Sequence, residues 1–150
     1  MDINRVSLPI KIQMDMPPQQ IRGNNRSHHY VYNKYFQSYL QSAIGNFLEA
    51  TTSPENVMPV LPWELPFKKA LVVYTFMNNR SIDIDNFIYG MKAVQDALTQ
   101  TNIIDDDDAL TISPIGKFVK CPVNERKVLI EVWNIAIMIK CQLWAILSFF

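Results

Sequence analysis

Apolar positions along the chain recur with two different periods, and the switches between them predict the elements. The opening VSLPIKIQMDM is strand-like and stops at Pro17-Pro18, a pair that cannot continue a sheet ladder. Residues 19–30, QQIRGNNRSHHY, are polar, carry a Gly-Asn-Asn turn signal and read as a loop. Tyr35, Tyr39, Ala43 and Phe47 then recur every four residues, which predicts a helix from about Asn33 to Leu48. Residues 51–66 hold four prolines and predict an irregular connection. KKALVVYTFM (68–77) is apolar on both faces and rich in β-branched residues, the pattern of a central strand. Phe87, Met91, Val94 and Leu98 form the next helical stripe, on a helix over 85–101 with Asp85 as its N-cap and Asn102 as its stop. LTISPIGKFV (110–119) and KVLIEVW (127–133) predict two strands, joined through Cys-Pro-Val-Asn-Glu-Arg as a hairpin.

Strands interleaved with two helices imply a mixed α/β (α+β) layer structure, with a sheet of about four strands packed against two main helices. One domain over 1–133 accounts for this pattern. The tail, NIAIMIKCQLWAILSFF (134–150), is strongly apolar but short of the roughly 20 residues a membrane span needs, and it carries Lys140 and Gln142. It reads as a terminal helix on the sheet, a subunit contact or an exposed extension, and no membrane partner is required.

Composition narrows the class. Of 150 residues, 49% are hydrophobic and 19% charged, the balance of a globular chain. Two cysteines, Cys121 and Cys141, are too few for a disulfide framework, and no Cys/His spacing suits zinc. The N-terminal stretch lacks a continuous apolar run and is no signal peptide, so a cytoplasmic location is expected. The formal net charge is zero, but six of the fourteen acids sit in two clusters, Asp83/Asp85 and Asp105–Asp108. Outside them, fourteen bases face eight acids. Were a divalent cation to neutralise the clusters, the remaining surface would attract phosphates.

The chemistry concentrates in RSIDIDNFIYGMKAVQDALTQTNIIDDDDAL (80–110). In extended backbone Asp83 and Asp85 would share one face, and a helix returning the chain would bring Asp105–Asp108 toward them. Several carboxylates meeting in one place repel unless a cation lies among them. Mg²⁺ takes a few carboxylates and keeps positions for water and phosphate, which suits phosphodiester hydrolysis. Lys92 shares a helical stripe with Asp85, Tyr89 and Asp96; it reads equally as a cation for a scissile phosphate or as an ordinary salt bridge to Asp96. Other readings stand beside these. Asp83/Asp85 would alone be a turn and N-cap, and Asp105–Asp108 a solvated loop. The aromatics of 30–39 fit a helix core as well as a base-stacking surface. An EF-hand is excluded, because Phe87 falls in the next ligand slot.

The same residues resemble the core motif of the RusA Holliday-junction resolvase family. The match runs through Asp83-Ile84-Asp85-Asn86, Lys92, Asp96-Ala97-Leu98-Thr99, Ile103-Ile104 and Asp106-Asp107, with Pro17-Pro18 and Asn24-Asn25 resembling the family's opening. The resemblance implies a homodimer, of phage or prophage type, that nicks four-way DNA junctions in recombination and repair with Mg²⁺ or Mn²⁺. It implies Asp83, Asp85 and Asp107 as catalytic metal ligands, Asp106 as the acid beside the last of them, and Lys92 as the catalytic lysine. The family usually sets that lysine four residues after the second aspartate; here the interval is seven, nearly one extra helical turn. Arg80, Lys117, Lys120 and Arg126 are the candidate DNA contacts. The alternative function is a branched-DNA-binding module of the same fold with weak or no catalysis; a further one is a small interaction protein working through its tail.

Overall fold

The strand β2 (Ala70–Asn78), apolar on both faces, lies inside a four-stranded mixed sheet, as its two-faced hydrophobicity requires. The computed structural model describes residues 9–52 and 65–135. In chain order these form β1 (Ile10–Met14), a 3₁₀ turn (Gln19–Ile21), α1 (His29–Thr52), β2, α2 (Ile84–Gly90), α3 (Lys92–Gln100), β3 (Ile112–Lys120), a second 3₁₀ turn (Val123–Glu125) and β4 (Lys127–Asn134). The fold is thus α+β, with strand order β1-β4-β2-β3. β2 runs parallel to β3 and antiparallel to β4, and β4 is antiparallel to β1. Most of the expected 51–66 connection and residues 136–150 of the tail lie outside the described residues.

One face of the sheet carries the core. Ile10, Ile12 and Met14 of β1, Val128, Ile130 and Val132 of β4, and Val72, Tyr74 and Phe76 of β2 are all buried and stand in register across the three strands. Tyr39, Leu40, Ala43 and Phe47 of α1 and Ala93, Val94, Ala97 and Leu98 of α3 close over them. The expected stripe Phe87, Met91, Val94 and Leu98 is buried throughout. Of the α1 stripe, Tyr39, Ala43 and Phe47 are buried, whereas Tyr35 is exposed near the start of a helix that begins four residues earlier than expected. The Tyr39 hydroxyl donates to the Asp15 carbonyl at 2.8 Å, tying α1 to the end of β1.

Two expectations are corrected. β3 and β4 do not form a hairpin: β4 inserts between β1 and β2, and residues 121–126 cross the end of β2, where the Cys121 amide donates to the Asn78 carbonyl at 3.0 Å. The physical reason lies in β3, whose Pro114 and Gly116 suit an edge strand, while alternately buried β4 needs a neighbour on each side. The expected single helix over 85–101 is two helices that break at Met91. Gly90 lies against Pro17, where a Cβ would come within 3.0 Å of the proline ring, so the loop after β1 wedges against the joint. Asn102 does end α3, in the left-handed region at φ 58°. Among the described residues no helix is long and apolar enough to cross a membrane.

Candidate active site

An apolar pair anchors the acidic run to the core. Ile103 and Ile104 are fully buried, and their backbone zips to Phe67: the Phe67 amide donates to Ile103 at 2.8 Å and the Asp105 amide to Phe67 at 3.1 Å. Burying each isoleucine contributes on the order of 1.5–3 kcal/mol, enough to fix where the chain emerges. The four aspartates that follow take four different partners. Asp105 pairs with Lys68 at 2.8 Å. Asp106 accepts the Asp107 amide at 2.7 Å. Asp108 accepts the Leu110 and Thr111 amides at 3.0 and 2.9 Å, shaping the turn into β3. Asp107 alone reaches Lys92.

Lys92 is the first residue of α3 and lies between two carboxylates, 2.9 Å from Asp96 and in direct contact with Asp107. Burial disfavours its charged form, but hydrogen bonds to Asp107 and Asp96 outweigh that penalty and raise its pKa. The hydrogen bond from Lys92 is also the largest influence on Asp107, and against some desolvation it lowers that carboxyl's pKa. The start of α1 flanks this group: burial raises the Tyr32 hydroxyl, and the neighbouring Tyr89 and Asp96 raise it further. Asp96, a motif residue and salt-bridge partner of Lys92 in the sequence but not one of its assigned site residues, therefore belongs to the cluster. The signal was its four-residue spacing from the lysine.

Asp83 and Asp85 occupy the entry to α2. Their shared face, expected from extended backbone, is not formed, because only Asp83 is extended (φ −82°, ψ 104°) and the helix begins at Ile84. The N-cap position belongs to Asp83 and not Asp85, which sits in the first turn. The Asp83 side chain makes no capping bond and instead accepts from the Asn86 amide group at 2.8 Å. Both aspartates are exposed. Gly23 fits closely beside Asn86 and Tyr89, its amide donating to the Asn86 carbonyl at 3.2 Å, so the loop after β1 braces this helix. Beneath it, Gly116 of β3 lets Ile84 and Ile88 rest directly on the strand.

Exposed carboxylate oxygens are the right donors for Mg²⁺ or Mn²⁺. As grouped, however, they do not make a finished site: among the described residues no three Asp, Glu, His or Cys side chains lie close enough to hold one ion. Asp107 has an ammonium in contact, and Asp83 is engaged by Asn86. Of the candidate DNA contacts, all four are exposed. Arg80, Lys120 and Arg126 gather where β2 and β3 end and β4 begins, the Asn78 side chain donating to the Arg80 carbonyl at 3.0 Å. Arg126 is near enough that its charge, after burial, lowers the pKa of Arg22. Strand alternation sends Lys117 to the opposite face of the sheet from Gly116 and the helices. No family model matches the chain, and no curated protein matches it in sequence.

Proposed function

We propose that this chain is a metal-dependent DNA endonuclease of the junction-resolving kind, acting through Asp83, Asp85, Asp107 and Lys92. One observation carries the reading: Lys92 and Asp107, fifteen residues apart and both singled out by the motif, meet in direct contact. The acidic loop supports it as well, because its other three carboxylates have partners of their own and leave Asp107 to face the lysine. Mg²⁺ or Mn²⁺, when bound, would supply an activated water and stabilise the leaving oxygen of a phosphodiester. The chain's own contribution is hard oxygen donors at the entry of α2 and in the loop after α3. To these it adds an ammonium on a flexible stem for a phosphate, and a basic group at Arg80, Lys120 and Arg126 for the flanking backbone. A homodimer would match the two-fold character of a four-way junction.

A second reading, a junction-binding module without catalysis, is favoured by the interval of seven residues between Asp85 and Lys92 where the resembled motif has four. Incubating a labelled four-way junction and a matched linear duplex with the protein, with and without Mg²⁺, separates the two. Paired symmetric nicks in the junction alone, lost in Asp83→Asn and Asp85→Asn with binding retained, are expected of the nuclease. Binding without nicking in Mg²⁺ and Mn²⁺ alike would leave the silent module standing, and normal cutting by Asp83→Asn would refute the assigned residues.

A further inference from the structure

We propose that Lys92 is a built-in counter-ion that keeps a divalent cation off Asp107 until an anionic substrate draws its ammonium away. The inference rests on reading Asp107 as a metal ligand, and it accounts for the unassembled carboxylates. Local helix energetics alone do not fix the lysine. It stands at the first residue of α3 and directly after the end of α2, where the positive end of one helix dipole meets the negative end of the other. Its helical partner Asp96 follows it, which is the weaker order for such a pair. What holds the ammonium is the second carboxylate, brought from the loop beyond α3. Asp96 and Asp107 together thus form a two-acid seat with a cation already in it.

A divalent ion and an ammonium cannot share one carboxylate without strong like-charge repulsion. The lysine is not locked, however. Its side chain is half exposed, on a four-carbon stem that can swing to a phosphate oxygen. A phosphate backbone arriving over α3 would pair with the ammonium and free Asp107, so that substrate would precede metal at this carboxylate. Lys68 provides an internal comparison on the same acidic run. It pairs with Asp105 at 2.8 Å but has a single acid partner and is more exposed, so its removal changes the general field without emptying a two-acid seat.

Mn²⁺ binding to the intact protein without DNA, read from the resonance of free Mn²⁺, tests this. Lys92→Met should bind Mn²⁺ about tenfold more tightly than the parent, or better, while Lys68→Met stays within about twofold. Adding Asp107→Asn to Lys92→Met should remove the gain. No gain in Lys92→Met, an equal gain in Lys68→Met, or a gain that survives Asp107→Asn would each overturn the proposal. Lys92→Gln, which keeps the stem polar, serves as the second variant should Lys92→Met fold poorly. Junction nicking is measured in parallel: an Mn²⁺ gain without nicking by the parent protein removes the nuclease reading but keeps the counter-ion. Nicking without the Mn²⁺ gain does the reverse.

Discussion

Gly116 is where fold and candidate site depend on one another most directly. It lies in the middle of the edge strand β3, and a Cβ there would stand 2.7 Å from Ile84 Cγ2, 2.7 Å from Ile88 Cδ1 and 3.1 Å from Ile88 Cγ1. Carbon atoms in contact prefer about 3.5–4.0 Å, so any side chain at 116 must turn Ile84 and Ile88 aside or lift α2 from the strand. Gly116→Val poses the question with opposite signs. A β-branched residue replacing glycine in a strand gains up to about 1 kcal/mol if it fits. Overpacking costs about 1–3 kcal/mol if it does not. With two isoleucines in the way the clash wins, for a net loss of about 1–2 kcal/mol. In urea the unfolding midpoint should fall by about 0.5–1 M at an unchanged slope. Shortening the obstacle with Ile88→Ala should return part of that loss, a coupling of about 1 kcal/mol between residues in contact. Because α2 carries Asp83 at its cap and Asp85 in its first turn, junction nicking should fall in Gly116→Val even where the protein remains folded. A midpoint equal to or above the parent's would refute the close packing of α2 on β3.

Two further predictions concern charge and hydrogen bonding. The lowered pKa of Asp107 means that its stabilising contribution is present above the ordinary value of 3.8 and is lost as pH falls through the lowered one. The raised pKa of Lys92 means that its contribution is full below 10.5 and is lost as pH rises through the raised one. The unfolding free-energy difference between the parent and Lys92→Met should therefore be flat from about pH 5 to 9, at about 0.5 kcal/mol for so exposed a pair, and shrink on both sides. A steady slope across neutrality would contradict the assignment. Tyr39→Phe removes the bond to the Asp15 carbonyl and should cost about 1 kcal/mol in thermal or urea unfolding. No loss would mean that this tie between α1 and β1 contributes nothing.

What the sequence made legible follows from how local each signal is. Phe87, Met91, Val94 and Leu98 show a helical face without reference to anything else, and β2 declares itself central by being apolar on both faces. Strand order does not work that way. The alternation of β4 is the same whether its neighbour is β3 or β2, and the deciding residues, Pro114 and Gly116, lie in the other strand and mark it as an edge. The break at Met91 is equally nonlocal. The helical stripe continues through it, while the residue lying against Gly90 is Pro17, from the far end of the chain. That break also changes where Lys92 stands along the helix. Counting turns along one straight helix compares Lys92 with a position in α2, yet Lys92 opens a separate helix and takes its direction from α3.

The acidic run carries the same lesson into the chemistry. Asp105, Asp106, Asp107 and Asp108 are identical in type, so spacing along the chain does not tell them apart. Their partners separate them. Asp108 is used by the backbone of the turn into β3, Asp106 by its neighbour's amide and Asp105 by Lys68. Asp107 is set apart by a contact that also draws in Asp96 and Lys92 from α3. A neutral substitution should therefore have graded effects along four chemically identical residues. Asp108→Asn should act on stability, through a turn that accepts two amides less strongly. Asp107→Asn should act on function, because it releases a lysine whose charge no longer has two acids to hold it. Nicking and unfolding measured on the four single variants would test that separation. An equal loss of nicking in all four would mean that the run acts only through its summed charge.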